Sequence, residues 1–452
     1  MAMITMIKKR DGRQVPFNIE KIANAIFKAA QTVGGKDYSE AMELADKVCQ
    51  QLSEEVIGRD PSVEEVQDMV ERGLVEQGHA KTAKAYILYR ADRTRAREMN
   101  STLMKIYEDL TFMSASDCDI KRENANIDGD TAMGTMLKYG SEGAKQFNEM
   151  YVLDPKHSQA HINGDIHIHD LDFLTLTTTC CQIDLLKLFH GGFSTGHGYL
   201  REPNDISSYA ALACIAIQSN QNDQHGGQSV PIFDYAMAEG VKKTFRRLYT
   251  TNLAKAVSFT LGIEDYTEVL EEFKLIAGDI AKEYGLYPSL QNNDEYKAKE
   301  WEIASAKYGD EFSHLQDRAE KLAESETDRA TYQAMEALIH NLNTMNSRAG
   351  AQNPFSSINY GTDTSPEGRM VIKNVMLAEE HGLGNGETPI FPIHIFKVKE
   401  GVNYNPGDPN YDLFKLAIRV SAKRMFPNFS FIDAPFNLQY YKPGDYHTEA
   451  AY

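Results

Sequence analysis

Two adjacent cysteines, Cys180 and Cys181, stand in the apolar segment TTTCCQIDLL, a pattern typical of a buried strand. The chain holds five cysteines in all and no CxxC pair, so neither a disulfide framework nor a cysteine zinc site is indicated. Successive side chains of a strand point to opposite faces, so one thiol can face a cavity while its neighbour packs behind the strand. The alternative is that both are small apolar residues of a core, the usual role of a buried free cysteine.

Two histidines, His167 and His169, alternate in the segment GDIHIHD and would share one face of a predicted strand. Imidazoles in this arrangement could bind a metal ion, but a third ligand of the same kind is not evident nearby in the sequence. Two further interpretations stay open: a pair of hydrogen-bonded core histidines, or a polar lining of a substrate pocket.

A basic cluster lies at the start of the chain, where Lys9 and Arg10 flank an Asp-Gly turn in the segment IKKRDGR. Asn18 suits the N-cap of the helix that follows, and Lys21 lies one turn into that helix. Basic side chains beside free helix N–H groups favour a triphosphate site, whereas the alternative is a solvated basic surface. Because the formal net charge of the chain is −18, broad nucleic-acid binding is not expected.

The elements that must position these residues fall into two regions. Residues 1–95 contain two short strand patterns around the Asp-Gly turn and then four amphipathic helix patterns, which predicts a small separate domain. In residues 96–452 short apolar segments alternate with amphipathic helices, which predicts an α/β fold with a parallel sheet or barrel. The highly charged segment 264–341, with the single tryptophan Trp301, is interpreted as a pair of solvated helices.

The sequence shows no sign of a membrane or a secretory address. It has no apolar run long enough to cross a bilayer, and its N-terminus, MAMITMIKKRDGR, lacks the apolar core of a signal peptide. We therefore expect a cytoplasmic protein with no membrane partner.

The segment KRDGRQVPFNIEKI, the three further helices and the closing YILYR together resemble the ATP-cone, a regulatory nucleotide-binding domain of ribonucleotide reductases. The resemblance covers most of residues 1–95. It implies that ATP and dATP act as allosteric effectors. It also implies that Lys9, Arg10, Asn18 and Lys21 contact the nucleotide.

A second resemblance runs over nearly the whole chain. The order of GDIHIHDLDF, TTTCCQIDLLKLFHGGF, NQNDQHGGQSV, NTMNSRAGAQNPFSSINYG and NPGDPNYDLFKLAIRVSAKRMFP is similar to that of the anaerobic, class III ribonucleotide reductases, which are glycyl-radical enzymes. This implies reduction of ribonucleoside triphosphates to deoxyribonucleoside triphosphates. It also implies that residues 96–452 form the N-terminal portion of a ten-stranded α/β barrel.

The same resemblance assigns a role to one of the paired cysteines. Cys180, four residues before Asp184, matches the family's cysteine that supplies a hydrogen during reduction at the 2′-carbon. Cys181 is then left to packing, and a register error of one residue would exchange the two.

Two further segments carry expectations. The segment NSRAGAQNP resembles the family's loop between an allosteric specificity site and the substrate base, which implies this role for Arg348, Gly350 and Gln352; the alternative is an ordinary strand–helix connection. Gly226 and Gly227 in HGGQS permit a close approach of the backbone to a ligand or a subunit, and their role stays open.

Elements that the family carries later in its sequence do not occur in these 452 residues: a GCR-like motif with the thiyl cysteine, four zinc-binding cysteines and a glycyl-radical loop. We therefore expect a fragment, or the ordered part of a longer protein, that cannot turn over alone. For the whole enzyme the resemblance implies a structural zinc and a glycyl radical. It further implies a radical-SAM iron–sulfur activating enzyme as partner, and a homodimer or a larger effector-dependent oligomer.

Alternatives stay open for the reductant and for the class of function. Formate is the expected reductant, and a thioredoxin-like dithiol is the other route. A non-catalytic regulator that senses ATP and dATP, or another glycyl-radical enzyme, are the competing interpretations of the chain. The regulator class combines its cone with zinc and DNA binding, for which an acidic chain without CxxC pairs is poorly suited.

Overall fold

The computed structural model describes residues 4–442 apart from 10–11, 58, 115, 123–127, 176–178, 310, 347 and 349. The first elements in chain order are β1 (Met6–Lys8), β2 (Gln14–Pro16), α1 (Ile19–Thr32), α2 (Tyr38–Glu55), α3 (Val63–Glu76), α4 (Ala80–Phe112), α5 (Asp119–Arg122), α6 (Ala132–Phe147), a π-helical turn (Asn148–Val152), α7 (Pro155–Ile162) and a 3-10 turn (Leu171–Phe173). They are followed by β3 (Thr179–Gln182), α8 (Leu185–Phe189), β4 (Phe193–Ser194), β5 (Tyr199–Leu200), α9 (Ile206–Asp223), β6 (His225–Val230), α10 (Phe233–Leu261), α11 (Thr267–Tyr284), α12 (Asp294–Tyr308), α13 (Phe312–Thr344), β7 (Ser356–Tyr360), α14 (Pro366–His381), β8 (Ile393–Val398), α15 (Tyr411–Arg424), β9 (Asn428–Phe431) and α16 (Pro435–Leu438). The chain divides into two compact units, Met1–Met113 with Glu142–Asp172, and Ser114–Ser141 with Phe173–Tyr452.

The first unit begins with the antiparallel hairpin of β1 and β2, and α1 to α4 pack around one apolar core, as the sequence predicts. Helix α1 begins after Asn18, whose side-chain oxygen accepts a hydrogen bond from a backbone N–H of the first turn. Helix α3 begins at a capping box formed by Ser62 and Glu65, and Gly78 follows its end with φ 84°. These local signals explain why the helix boundaries of this unit could be predicted from sequence.

The second unit is built on a five-stranded sheet in the order β3-β6-β7-β8-β9, and all its pairs are parallel. Because the strands follow one another in chain order, each connection crosses over through helices, which is the α/β arrangement predicted from the alternating pattern. Five parallel strands are also the number that half of a ten-stranded barrel would supply. The predicted α/β fold class is therefore confirmed.

The two faces of this sheet differ in chemistry. On one face Ile358, Tyr360 and Phe396 join the large apolar core, which also includes buried residues of α9, α10, α13, α14 and α15. By strand alternation Ser357 and Asn359 lie on the opposite face, which is polar toward β6, where Ser229 pairs with Ser357, and carries Ile393 and Ile395 on β8. None of the helices in the described part of the chain is both long and apolar enough to cross a membrane.

The charged segment 264–341 is not a pair of solvated helices, so that interpretation was wrong. It forms α11, α12 and α13, and these helices enclose a core of their own together with α10. The carboxylate of Glu300 is buried there and accepts hydrogen bonds from Tyr249 (2.7 Å), Tyr296 (3.2 Å) and Gln316 (2.8 Å). Burial raises the pKa of Glu300 to about 7. The sequence interpretation failed because small and aromatic core residues are sparse among charges that lie on the outer faces.

Candidate active site

The paired cysteines lie on β3, at an edge of the described sheet. The strand is largely exposed, because only β6 pairs with it among the described residues, so the prediction of a buried strand was wrong. Pairing is interrupted between Thr179, which lies opposite His225, and Cys181, which lies opposite Gln228. Two steps along β3 therefore match three steps along β6, which is a bulge with the extra residue on β6.

Cys180 occupies this bulge in an uncommon backbone conformation. Its φ is 52°, in the left-handed region, and Gly226 of the facing strand has φ 99°. A Cβ placed on Gly226 would lie 3.0 Å from Cys180 Sγ and 3.1 Å from Cys180 N, so the glycine leaves the space that the thiol occupies. The Cys180 side chain is exposed.

Cys181 has a different environment. It is half-buried, and its sulfur accepts a 3.0 Å hydrogen bond from Asn220 Nδ2 of α9. Burial raises the pKa of the Cys181 thiol, and the Asn220 hydrogen bond opposes that effect. The exposure of the two thiols agrees with the predicted division, in which the second cysteine packs behind the strand.

The polar face of the sheet continues from β3 across its neighbours. Gln182 lies opposite Ser229, which in turn lies opposite Ser357. The Ser229 hydroxyl is buried and has no hydrogen-bond partner among the described residues. Lys397, fully buried two strands away, donates a 3.2 Å hydrogen bond from Nζ to the Pro231 carbonyl. Hydroxyl and amide groups of this kind can bind the hydroxyls of a sugar.

The segment GDIHIHD is a turn and not a strand, so the strand prediction was wrong. It follows the end of α7, where Gly164 has φ 81°, and Asp170 also has a positive φ of 50°. His167 and His169 are exposed, so they are not core histidines. They belong to the first unit and Cys180 to the second.

A third histidine, His161 on α7, joins this pair. Ring centroids are 5.8 Å apart between His161 and His167, and 5.7 Å apart between His167 and His169. His161 Nδ1 accepts a hydrogen bond from the Ile168 N–H, which fixes the turn against the helix. In the described ranges no three His, Cys, Asp or Glu side chains are placed to hold a metal ion.

The segment NSRAGAQNP connects α13 to β7 and makes a tight reversal in which Arg348 and Gln352 form an antiparallel bridge. Gly350 at its tip has φ 85°, and its carbonyl accepts a 2.9 Å hydrogen bond from Asp128 N. The Arg348 guanidinium lies 6.0 Å from the ring of Phe173, and burial lowers its pKa.

Phe173 links this loop to the bulge. Its ring stacks on His225 at 3.8 Å, and His225 is the β6 residue opposite Thr179. The Arg348 loop therefore lies near the beginning of β6, where Gly226 faces Cys180 of β3. Sequence reasoning missed Phe173, His225 and Asn220, because nothing local marks residues that meet only through the fold.

The candidate nucleotide site of the first unit includes the β1–β2 turn. Lys9 N donates to Arg13 O across this turn, while Arg10 lies outside the described residues. Three residue pairs of the hairpin separate this turn from Asn18, where α1 begins.

The helix that adjoins the basic turn is α3, because Lys8 N donates to Pro61 O and Lys8 pairs with Ser62. The turn therefore adjoins the start of α3, and a phosphate site beside the N-terminus of α1 stays a prediction. The N-terminus of α3 already has a carboxylate cap, since Glu65 accepts from the Ser62 N–H and forms an ion pair with Arg59.

A capped four-helix domain with a basic hairpin, and a parallel sheet that presents a thiol at a bulge beside hydroxyl and amide side chains, together define an α/β protein with two candidate sites. Residues 123–451 match the family model described as anaerobic ribonucleoside-triphosphate reductase, and residues 5–95 match the ATP cone domain. The chain belongs to the anaerobic ribonucleoside-triphosphate reductase family, and it begins with an ATP-cone domain. The family predicted from the sequence motifs is confirmed.

Known relatives agree with this assignment. The chain is 28% identical to the anaerobic ribonucleoside-triphosphate reductase of Salmonella typhimurium over 94% of its own length and 51% of that protein, and the Escherichia coli enzyme gives the same figures. A crystal structure of the anaerobic ribonucleotide reductase from Thermotoga maritima, in complex with dATP and CTP, is 13% identical with a TM-score of 0.42, covering 75% of this chain and 50% of that one. The chain spans about half the length of the curated relatives it matches.

Proposed function

We propose that this chain is part of an anaerobic ribonucleoside-triphosphate reductase, in which Cys180 supplies hydrogen to the 2′-carbon of the substrate ribose. One observation carries the proposal. In a chain of this family, an exposed thiol occupies a bulge next to Gly226, at the edge of a sheet whose neighbouring positions are hydroxyl and amide side chains.

The reaction balance explains why a thiol is needed there. Replacing C2′–OH by C2′–H takes up two electrons and two protons and releases one water. A thiol that gives up one hydrogen atom supplies one electron and one proton, so the second electron, and the electron that restores the thiol, must come from another donor. Formate is the proposed donor, since its oxidation to carbon dioxide releases two electrons and one proton, and solvent supplies the second proton.

The polar face of the sheet is proposed to bind the ribose. Ser229 and Ser357 are paired residues on adjacent strands. The buried Ser229 hydroxyl has no hydrogen-bond partner among the described residues, which supports a contact with a substrate hydroxyl. Fixed donors and acceptors on a rigid sheet would hold the sugar so that the reacting atoms meet. His167 and His169 are proposed as further polar contacts of the substrate.

The first domain, residues 1–95, is proposed to bind ATP and dATP as activity effectors, and residues 96–452 to be the catalytic portion. Lys9, Arg10, Asn18 and Lys21 are the proposed contacts, supported by the match to the ATP cone domain. The positive side chains among them would bind the phosphate groups of the nucleotide. The Arg348, Gly350 and Gln352 loop is proposed to transmit effector binding to the substrate base.

The remaining parts of the proposal rest on family membership. The whole enzyme is proposed to be a cytoplasmic homodimer that forms larger effector-dependent oligomers. It would carry a structural zinc and a glycyl radical, and a radical-SAM iron–sulfur enzyme would install the radical.

The proposal is tested with Cys180→Ala in a full-length, activated enzyme, using a ribonucleoside triphosphate and measuring deoxyribonucleotide formed. We expect product to fall to background, because alanine cannot supply hydrogen. Cys49→Ala is the control, since Cys49 is a half-buried residue of the first unit. If Cys180→Ala keeps a tenth or more of the activity, Cys180 is not the hydrogen source.

A further inference from the structure

The backbone conformation of Cys180 needs an external restraint. A left-handed φ of 52° is unfavourable for a residue with a Cβ, so the surrounding contacts must hold it. Cys180 also lies where ladder pairing is interrupted, which removes the support that a regular strand would give. The first regular pair after the interruption is Cys181 with Gln228.

One side chain ties this pair together. Asn220 Nδ2 of α9 donates to Cys181 Sγ at 3.0 Å and to Gln228 Oε1 at 2.7 Å. The amide of Asn220 therefore bridges β3 and β6 directly after the bulge. On the other side of the bulge, Gln224 Nε2 donates to the Gly226 carbonyl at 3.1 Å, which fixes the strand that the Cys180 thiol contacts.

We propose that Cys181 is a positioning residue whose sulfur, held by the Asn220 amide that also bonds Gln228, fixes the orientation of the Cys180 thiol. The second cysteine is then more than a filler of the core: it is the hydrogen-bond acceptor that anchors the edge strand. This inference rests on the proposed function for its significance, but the clamp formed by Cys181, Asn220 and Gln228 is a statement about geometry that holds without turnover.

The test measures the reactivity of Cys180 in the chain of 452 residues. Iodoacetamide is added between pH 7 and 10, and peptide mass spectrometry gives the alkylation rate of each cysteine. The pH profile separates the acidity of the Cys180 thiol from the limiting rate constant of its thiolate, which depends on orientation and access.

Two variants remove the two ends of the hydrogen bond, and one restores it. Cys181→Ala removes the acceptor, Asn220→Leu removes the donor, and Cys181→Ser keeps an acceptor of similar size. We expect the limiting rate constant of Cys180 to change at least twofold in the first two variants and by less than twofold in Cys181→Ser. Asn222→Ala is the matched control, because Asn222 lies on the same helix and its amide donates to the carbonyl of Gln218 within that helix.

A loss of structure is recognised independently. Cys214 is buried in the large core, so its alkylation reports unfolding of the second unit. If Asn220→Leu exposes Cys214 to alkylation, the Asn220→Ala variant is measured instead, and the same twofold threshold for the limiting rate constant of Cys180 applies. A change below twofold in either the Cys181→Ala variant or the folded Asn220 variant overturns the clamp, since the proposal needs both ends of the bond.

The same variants in full-length enzyme separate this inference from the function. We expect Cys181→Ala to lower kcat while KM stays within twofold, and Cys181→Ser to recover kcat. Failure of Cys180→Ala to abolish reduction would remove the proposed function but leave the alkylation result standing. Unchanged alkylation rates with an inactive Cys180→Ala would remove the clamp and leave the function.

Discussion

A buried acid–imidazole pair makes the stability of the second unit depend on pH in a way that can be worked out. Glu379 of α14 and His394 of β8 are 1% and 0% exposed, and His394 Nε2 lies 3.5 Å from Glu379 Oε2. Tyr360 lies on the other side of the imidazole, with its hydroxyl 2.9 Å from Nδ1. Burial raises the pKa of Glu379 to about 8, opposed in part by the charge of Arg424, and burial lowers the pKa of His394 to about 3.

The two groups act on stability in opposite directions. The pKa of Glu379 is near 4.5 in the unfolded chain and near 8 in the folded one, so Glu379 lowers the free energy of unfolding as pH rises from 4.5 to 8. The pKa of His394 is near 6.5 in the unfolded chain and near 3 in the folded one, so His394 raises the free energy of unfolding as pH rises from 3 to 6.5. Between pH 4.5 and 6.5 these two changes cancel. From pH 6.5 to 8 the change due to Glu379 remains, and at about 1.4 kcal/mol per pH unit the free energy of unfolding falls by about 2 kcal/mol.

Glu379→Gln should remove this loss, because an amide does not ionise. The free energy of unfolding is measured in urea at pH 6.5 and 8.0, with the fluorescence of Trp301, the single tryptophan, reporting on the second unit. We expect the difference between the two pH values to shrink by about 2 kcal/mol in Glu379→Gln relative to the unsubstituted chain. Glu380→Gln is the control, since Glu380 is the next residue but pairs with Arg419 at the surface. Equal pH dependence in the unsubstituted chain and Glu379→Gln would refute the argument.

Two further predictions use pairs of matched variants. Gly226→Ala should destabilise the second unit by about 1–2 kcal/mol in urea and displace the Cys180 thiol, because φ is 99° and the new Cβ would lie 3.0 Å from Cys180 Sγ. Gly227→Ala is the control, since its new Cβ would make an ordinary contact of 3.4 Å. Equal losses of stability in the two variants would contradict the role of Gly226. Lys21→Ala should weaken ATP binding by calorimetry about tenfold or more, as expected for one charge-assisted phosphate contact, whereas Lys28→Ala, exposed on the same helix, should leave it unchanged; unchanged affinity in Lys21→Ala would remove that lysine from the site.

The predictable parts of this fold are those set by neighbours in sequence. The helix starts at Asn18 and Ser62 follow from side chains that cap their own helices, so a short window of sequence was enough. The alternation of apolar segments with amphipathic helices likewise predicted the α/β class, because parallel strands need helical crossovers. The family could be predicted because several motifs occur in a fixed order, which no single motif could have established.

The errors share a physical cause. His167 and His169 alternate as strand residues do, but Gly164 and a hydrogen bond to His161 turn the backbone instead. A period-two pattern over a few residues cannot distinguish a strand from a turn that a neighbouring helix stabilises. In the charged segment, buried residues were predicted to be solvated. A buried carboxyl such as Glu300 cannot be distinguished from a solvated one in the sequence, because its hydrogen-bond donors Tyr249 and Gln316 are distant along the chain.

The adjacent cysteines show how far each kind of reasoning reaches. Strand alternation predicts that Cys180 and Cys181 differ in exposure, and they do. Alternation alone, however, cannot explain what holds an edge strand in place at a bulge, where one neighbour among the described strands supplies ladder hydrogen bonds and the ladder is interrupted. A side chain adds a restraint there: the amide of Asn220, 39 residues away in sequence, bonds both strands at the first regular pair. If Cys180 has the proposed role, its thiol must meet a substrate atom in one orientation and gains from such an anchor, which is why we propose positioning for the second cysteine and chemistry for the first.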